Sequence, residues 1–296
     1  MSYFSNATVY DIILSMIALV VFLGNCGKEY EKTRHNAAWL FEQSLPFSAK
    51  INWKNKFKGN FASIDTLSFK SWIEDSNLIA NTVSATKSAG SGTASAPATP
   101  AVVNSVGMRP AATSSAGAPE SLAATQESFS AGSAGSKSQV LNLPSSIGDK
   151  FYFLKPETYM NLSGQSVAEA AHFLKISPEQ VLIVHDEIEL PLGFVSLKWS
   201  GGLGGHNGLR SIKTELGTAD FWRLRIGISK PSYGSVADYV LGRFTSDEQI
   251  LLSQIFLQTA ELFAKTLFSS DPKRLIPEWG KRKLADAAGA CVQDAH

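Results

Sequence analysis

Short apolar runs alternate with amphipathic segments along most of the chain. Residues 18–23, 151–155 and 181–185 are almost continuously apolar, which is typical of strands buried on both faces. Residues 195–199 form a shorter run, and residues 223–228 alternate apolar and polar positions as a strand does. We therefore predict strands in these five places.

Helical spacing of apolar positions appears between the strands. In the first such segment, Ala37, Leu40 and Phe41 recur at i, i+3 and i+4. The predicted helices are residues 35–45, 164–175, 207–216 and 247–267. Strands that alternate with helices indicate βαβ units. The expected fold class is α/β: a single domain with a mixed, mostly parallel central sheet flanked by helices, and with a long disordered insertion.

The insertion is residues 81–138, which consist mostly of Ala, Ser, Gly, Thr and Pro, with Phe129 as their only aromatic residue. Such a segment cannot bury enough apolar surface to offset the entropy lost on ordering. A flexible linker between two domains is the alternative, but the elements before the segment are too few to form a domain. We expect one domain over residues 18–280, with an N-terminal extension (1–17) and a C-terminal tail (281–296).

Composition narrows the class of protein only slightly. The chain has two cysteines and no C-x-x-C pair, which disfavours a zinc ribbon or a disulfide scaffold and favours a reducing, cytoplasmic setting. The formal net charge of +1 says nothing about a nucleic-acid partner, because such binding depends on local patches of charge.

An apolar run at residues 12–23 resembles the core of a signal peptide. The run is too short to cross a bilayer as a helix, and residues 1–11 contain Asp11 but no Lys or Arg, whereas a signal peptide begins with positive charge. Lipoprotein-type cleavage before Cys26 would need a small residue at position 25, and Asn25 fits this requirement poorly. We expect no membrane association, and Met16 is an alternative start of the chain.

Polar side chains follow three of the predicted strands. Asn25 comes two residues after the first strand, and Asp186 directly follows the strand at 181–185. Asn161 lies between the strand at 151–155 and the next helix. Because ligands of parallel sheets bind beyond the carboxyl ends of the strands, we expect these side chains to share one rim.

His35 is predicted to lie in the first turn of a helix, with Thr33 as the candidate N-cap. The positive end of a helix dipole disfavours an imidazolium, so the ring would stay neutral, as a general base requires. From the residue alone, a partly buried structural histidine is the favoured interpretation.

A metal site is the alternative for the acidic segment that follows the strand at 181–185. It offers His185, Asp186, Glu187 and Glu189, and carboxylate and imidazole suit several divalent ions. However, adjacent strand residues point to opposite faces. We therefore expect no metal and interpret Asp186 as a carboxylate that orients a histidine.

A glycine-rich stretch and a group of basic residues come next. Residues 200–208 contain five glycines and lead into a predicted helix. The glycines would let the backbone approach a ligand closely, but the stretch fits a mobile turn equally well. The basic residues are Lys198, Arg210, Lys213, Arg223, Arg225 and Lys230. A phosphate clamp and a solvated face are both open readings of this group.

Together these motifs resemble one family, the bacterial-type peptidyl-tRNA hydrolases. The resemblance is carried by LGNCGKEYEKTRHNA (23–37), KPETYMNLSGQSV (155–167), VLIVHDEIELPLGFVSLKWSGGLGGHNGLRSI (181–212) and FWRLRIGISKP (221–231), in the family's order. It implies hydrolysis of the ester that joins a peptide to the 3′ end of tRNA, and so recycling of tRNA from prematurely released chains. It also implies no metal and no cofactor, contact with the acceptor stem and 3′ end of peptidyl-tRNA, and a monomer.

The resemblance implies roles for individual residues as well. His35 matches the histidine that activates water, Asp186 the acid that keeps it basic, and Asn25 a side chain that positions the substrate. The residues that match the lining of the peptide and 3′-nucleotide cleft are Tyr30, Tyr159, Met160, Asn161 and Asn207. Lys198 and Arg225 match the pair that holds the 5′-phosphate of the acceptor stem.

The chain departs from the family pattern at three places: Phe22 replaces a usual glycine, Cys26 a usual proline and Leu203 a usual histidine. These changes bear on the rigidity of the Asn25 loop and on RNA contacts. A catalytically idle RNA-binding protein of the same fold is the alternative function. Such a protein would be under no constraint to keep His35, Asp186, Asn25 and Asn161 together, and all four are present.

Overall fold

The structure is a computed structural model that describes residues 17–76 and 150–280. The predicted insertion at 81–138, residues 1–16 of the predicted extension and the tail at 281–296 lie outside the described residues. Within the described ranges, no helix is long and apolar enough to cross a membrane.

Seven strands form one sheet. They are β1 (Leu19–Phe22), β2 (Lys54–Lys56), β3 (Gly59–Asp65), β4 (Lys150–Pro156), β5 (Val181–Glu187), β6 (Val195–Trp199) and β7 (Trp222–Gly227). Their order across the sheet is β2-β3-β4-β1-β5-β7-β6. The four central strands are mutually parallel, whereas β2, β3 and β6 pair antiparallel at the two edges. The predicted mixed, mostly parallel sheet in a single α/β domain is confirmed.

Helices cover both faces of the sheet. They are α1 (Ala37–Ser44), α2 (Thr66–Asp75), α3 (Ser163–Leu174), α4 (Asn207–Leu216), α5 (Val236–Leu241), α6 (Ser246–Leu267) and α7 (Ile276–Trp279). Strand β1 is buried on both sides: Val20 and Phe22 face the layer that contains α1, α2 and α6, while Leu19 and Val21 face α3 and α4. Burial on two faces explains why its sequence is continuously apolar.

The sheet brings the predicted site residues to one end. Strands β1 and β5 are parallel neighbours, with Phe22 opposite Val184, so the chain following β1 emerges beside the end of β5. The strand β5 is longer than predicted and includes Asp186, which pairs with Ile226 of β7. Because the acid belongs to the strand, its backbone is fixed by sheet hydrogen bonds on the side of β7.

The start of the first helix differs from the prediction. His35 lies in a short 3-10 turn, Arg34–Asn36, and α1 begins only at Ala37. Thr33 is extended and its side chain makes no capping hydrogen bond with the turn. Its hydroxyl donates backwards to the Tyr30 carbonyl at 2.8 Å, so it is not free to cap.

Candidate active site

The centre of the site is a contact between His35 and Asp186. Nδ1 of His35 lies 3.0 Å and 3.1 Å from the two carboxylate oxygens, and the side chains are 9% and 2% exposed. A carboxylate can only accept, so Nδ1 carries the hydrogen and donates it. Nε2 is left as the nitrogen that can accept a proton. His35 and Asp186 line a cavity between the glycine-rich stretch and α5, with Glu187, His206, Asn207 and Val240 among the other lining residues.

A second histidine, His206, shares the same carboxylate and was missed in the sequence. Its Nδ1 accepts the backbone N–H groups of Gly208 at 3.1 Å and Leu209 at 3.4 Å, and so caps α4. Nδ1 is therefore unprotonated, and the hydrogen sits on Nε2, which donates to Asp186 at 3.1 Å. The available signal was a histidine directly before a predicted helix, but histidine is not one of the usual N-cap residues.

The pKa values of His35 and Asp186 follow from the burial of both side chains and from the contacts that they make. Burial by itself would lower the pKa of His35, but the charge and hydrogen bond of Asp186 outweigh it and raise the pKa above its usual value. Burial would raise the pKa of Asp186, but His35 and His206 hold it well below its usual range. The prediction that a helix dipole keeps His35 neutral was wrong, because the carboxylate is nearer and the α-helix begins two residues later.

His185, next to Asp186 along β5, is a buried structural residue. Its Nδ1 donates to the Asp186 carbonyl at 2.7 Å, and its ring packs edge-on against the His206 ring. Burial first, and then the neighbouring His206, lower the pKa of His185 well below its usual value. The neutral His185 ring therefore packs against His206 and bonds the backbone of Asp186.

The loop after β1 is held by reciprocal amide contacts. The side chain of Asn36 accepts from the Asn25 backbone N–H at 2.8 Å and donates to the Asn25 carbonyl at 2.9 Å. The side-chain oxygen of Asn25 accepts the Met160 N–H at 2.9 Å, which leaves its amide hydrogens as donors. Cys26, the departure from proline, donates its thiol to the Glu157 carbonyl at 3.2 Å. The contacts with Asn36 tie the Asn25 loop to the turn that carries His35, and the contacts with Met160 and Glu157 tie it to the segment that follows β4.

The other predicted cleft residues fall into two groups. Asn161 and Asn207 are exposed and line a second groove beside α4, and Asn207 also lines the His35 cavity. Met160 is 5% exposed and lies under Gly208, so it supports the cleft instead of lining the cavity. Tyr159 is largely exposed and Tyr30 partly so, and neither lines the His35 cavity.

Arg34 anchors the 3-10 turn to the segment around α6. Its Nη2 donates to both carboxylate oxygens of Glu248 at 2.9 Å and 2.8 Å, and Nη1 donates to the Arg243 carbonyl at 3.1 Å. The guanidinium also lies 4.3 Å from the centre of the Tyr239 ring. Because α5 forms one wall of the cavity, Arg34 links that wall to the backbone of His35.

Three of the six basic residues, Lys198, Arg223 and Arg225, lie on strands β6 and β7. Lys198 is opposite Arg223 in the antiparallel pairing, and Arg225 lies two residues further on the same face. Arg225 donates to the Ser196 hydroxyl at 3.1 Å and lies 3.6 Å from Glu187. Arg223 is 1% exposed because the glycine-rich stretch covers it, so the interpretation of the basic group as a solvated face does not hold for this residue.

A metal ion would have one set of ligands within the described residues. Ligand atoms of His35, Asp186 and His206 all lie within 4.8 Å of one another. The same atoms are joined by hydrogen bonds of 3.0 to 3.1 Å, in which both nitrogens that face the carboxylate carry hydrogen. A ligating nitrogen must be unprotonated, so metal binding would need both rings to change tautomer. The absence of a metal stays a prediction.

The structure thus combines a mixed α/β sheet with a histidine that donates to a buried carboxylate and lines a cavity. The family model described as peptidyl-tRNA hydrolase matches residues 19–86 and 119–286. The chain belongs to the peptidyl-tRNA hydrolase family. The predicted family, the enzyme class and the hydrolysis of peptidyl-tRNA are confirmed at this level.

Individual relatives agree with the family match. The chain is 36% identical over 272 residues to the peptidyl-tRNA hydrolase of Treponema pallidum, covering 90% of this chain and 96% of that protein. It is 48% identical over 122 residues to the enzyme of Desulfitobacterium hafniense, covering 40% and 66%. A crystal structure of peptidyl-tRNA hydrolase from Acinetobacter baumannii has a TM-score of 0.59 and 28% identity, covering 91% and 97%.

Proposed function

We propose that the chain hydrolyses the ester between peptide and tRNA with His35 as the general base and Asp186 as the carboxylate that orients it. The observation that carries this proposal is the bond from Nδ1 of His35 to Asp186. This bond leaves Nε2 as the basic nitrogen, directed away from the carboxylate, and His35 is one of the residues that line the cavity. A base must lie within hydrogen-bond reach of the water that it deprotonates, and the cavity provides the space.

The reaction proceeds in two proton transfers. Nε2 of His35 takes a proton from water as the oxygen attacks the ester carbonyl, and Asp186 stabilises the resulting imidazolium. The tetrahedral intermediate collapses when the bond from carbonyl carbon to ribose oxygen breaks, and the imidazolium returns its proton to that oxygen. Peptide acid and free tRNA leave. The amide hydrogens of Asn25 are donors for the developing oxyanion, since its oxygen is already used by Met160.

The remaining predicted site residues are assigned to substrate binding. Asn161 and Asn207 line the groove that continues from the cavity along α4, which suits the peptide and the 3′-terminal nucleotide. Met160 is assigned to the support of this cleft beneath Gly208, and Tyr30 and Tyr159 are assigned to substrate contacts outside the cavity. A monomer in the cytoplasm stays a prediction.

Release of labelled peptide from purified peptidyl-tRNA tests this function against the idle RNA-binding alternative. The wild-type chain should release peptide with multiple turnovers and leave intact tRNA. An idle RNA-binding protein would bind the same substrate and leave the ester intact, so binding without release contradicts the proposal. The close contact of His35, Asp186 and His206 favours the enzyme, because RNA binding alone does not need a base oriented by a buried carboxylate.

Lys198 and Arg225 are assigned to the 5′-phosphate of the acceptor stem. We expect Lys198→Ala and Arg225→Ala each to raise KM for peptidyl-tRNA by about tenfold, because each removes a charged contact with phosphate. A short N-acyl amino acid ester, which has no phosphate, should lose much less. Steady-state kinetics on both substrates measure the difference.

Lys50→Ala is the control for this pair, because Lys50 precedes β2 at the opposite edge of the sheet and pairs with Asp75. It should leave both substrates unaffected. Equal losses on tRNA and on the short ester in the Lys198 and Arg225 variants would contradict a role in phosphate binding.

A further inference from the structure

The 3-10 turn that carries His35 has little support of its own. It contains three residues, Arg34–Asn36, and no side chain caps it. Hydrogen-bond geometry in a 3-10 turn is poorer than in an α-helix, so such a turn depends on contacts from outside. The two neighbours of His35 supply these contacts: Asn36 bonds the Asn25 backbone, and Arg34 reaches the segment 242–248. Neither neighbour lines the cavity, so the position of the base is set by residues outside it.

The side chain of Arg34 is a buried cation whose charge is offset by Glu248. The two side chains are 10% and 23% exposed. Nη2 of Arg34 donates to both carboxylate oxygens, and Nη1 donates to the Arg243 carbonyl. Removing one member of a buried ion pair leaves the other charge uncompensated, which is strongly unfavourable. Arg34 and Glu248 therefore act as a unit, the Arg34–Glu248 pair.

Glu248 is itself fixed to the start of α6. Its Oε2 accepts the Thr245 N–H at 2.7 Å, and its own N–H donates to the Thr245 hydroxyl at 3.2 Å, which forms a capping box. Such reciprocal bonds hold both residues in place at the helix start. The carboxylate is therefore set by α6, a helix of 22 residues, and is not free to follow Arg34. The pair consequently ties the His35 turn to a rigid element.

Backbone hydrogen bonds make the same connection. The Arg34 N–H donates to the Gly242 carbonyl at 3.0 Å, and the Phe244 N–H donates to the Lys32 carbonyl at 3.2 Å. Gly242 leaves room for the guanidinium, because a Cβ at this position would lie 3.2 Å from Nη1 of Arg34. The chain just ahead of His35 thus lies alongside the segment that joins α5 to α6.

Arg34 also contacts α5, which forms a wall of the cavity. Its guanidinium lies 4.3 Å from the centre of the Tyr239 ring, and a cation over an aromatic face is attracted to it. The Tyr239 hydroxyl donates to the Ile228 carbonyl at 2.6 Å, so the ring is held from its other end. Three other residues of α5 line the cavity together with His35. A single side chain therefore contacts the helix of the wall and precedes the base directly.

We propose that Arg34, with Glu248 as its partner, is a positioning residue for the hydrolysis: it fixes His35 relative to α5 and so holds the base where it can deprotonate the attacking water. This inference rests on the proposed function for the identity of the base. Arg34 does not line the cavity, so it acts through the backbone of His35. A misplacement of about 1 Å costs about 10²-fold in rate. Loss of the pair should therefore lower kcat and leave tRNA binding intact.

Arg34→Lys tests the geometry of the pair without changing its charge. Lysine lacks the planar fork that reaches Glu248 and the Arg243 carbonyl together. We expect kcat to fall by about 10–100-fold, by the same factor on peptidyl-tRNA and on a short N-acyl amino acid ester, with KM for peptidyl-tRNA unchanged. Glu248→Gln should give a similar loss, because one acceptor oxygen cannot serve both Arg34 and Thr245. The double variant should lose no more than the weaker of the two single variants, since both substitutions break one contact.

Three control variants separate positioning from charge and from general stability. Arg243→Lys and Asp247→Asn alter exposed side chains next to the pair and should leave kcat unchanged. Thr266→Val removes the partner of the Trp279 indole N–H towards the other end of α6. It should lower the unfolding temperature without changing kcat well below that temperature. A loss of kcat in Thr266→Val equal to that in Arg34→Lys would overturn the proposal, as would a rise in KM with unchanged kcat in Arg34→Lys.

A spectroscopic measurement tests the position of His35 without substrate. The hydrogen on Nδ1 of His35, which is donated to Asp186, should give a low-field proton NMR signal that is absent in His35→Asn. The signal should shift or disappear by exchange in Arg34→Lys and stay in place in Arg243→Lys. An unchanged signal in Arg34→Lys overturns the proposal. Failure of the proposed function is a different result, since it would appear as a wild-type chain that does not release peptide.

Discussion

Replacement of His35 by alanine is expected to lower kcat for peptide release by about 10²–10⁴-fold, the contribution of a positioned general base. The physical reason is that Nδ1 of His35 donates its hydrogen to Asp186, so that Nε2 is the unprotonated nitrogen of a residue that lines the cavity. His206 cannot take its place, since its Nδ1 caps α4 and its Nε2 donates to Asp186. Single-turnover release from peptidyl-tRNA measures the effect, because it isolates the chemical step from product release.

Two further variants separate loss of the base from loss of the fold. His35→Asn retains an N–H that can donate to Asp186, so the carboxylate stays paired while the base is gone, and we expect the same loss of activity with less effect on stability. His172→Ala removes an exposed histidine of α3 and should have no effect. Retained activity in both His35 variants would exclude His35 as the base.

Replacement of Asp186 by asparagine is expected to lower kcat by about 10²–10⁴-fold, as in other histidine–carboxylate sites where the amide imposes the wrong tautomer. The carboxylate accepts hydrogens from both His35 and His206. An asparagine amide group has one acceptor and one donor end, so one ring must change tautomer. If His206 changes, its Nδ1 gains a hydrogen and α4 loses its cap; if His35 changes, Nε2 is no longer basic.

The pH profile distinguishes the electrostatic role of Asp186 from a purely structural one. The carboxylate raises the pKa of His35, and the base form exists only above that pKa. The acidic limb of kcat/KM in the wild type should therefore lie above the ordinary histidine value of about 6.5, with activity rising as the pH increases through it. In Asp186→Asn only burial remains, which lowers the pKa of His35, so the limb should move to lower pH.

Glu189→Gln is the control for this shift, since Glu189 is an exposed acid three residues away that pairs with Lys230. It changes the net charge by the same amount and should leave the acidic limb in place. A limb that stays unmoved in Asp186→Asn, with activity still reduced, would show that the carboxylate does not set the basicity of His35.

Five of the seven strands and four of the seven α-helices in the described residues were predicted, because their cause is local; β2, β3, α2, α5 and α7 were not predicted. Strand β6 (Val195–Trp199) and helix α4 (Asn207–Leu216) have the predicted bounds, since binary patterning determines which side of each element is buried. The alternation of strands and helices predicted a mostly parallel sheet, whereas only the structure showed that β1 pairs with β5, which places Asn25 and Asp186 at the same end of the sheet. The start of α1 was less predictable, because the 3-10 turn at Arg34–Asn36 depends on contacts with residues 239–248.

The sequence by itself determined the α/β fold, the family and His35, Asp186 and Asn25 as candidates, because periodicity and motif spacing are properties of neighbouring residues. Only the tertiary structure decided which groups share the carboxylate. His206 is 20 residues from Asp186 along the chain, and its tautomer follows from backbone N–H groups that exist only once α4 has formed. The burial of Arg223 was decided in the same way, because an alternating strand does not reveal whether a distant loop will cover its polar face.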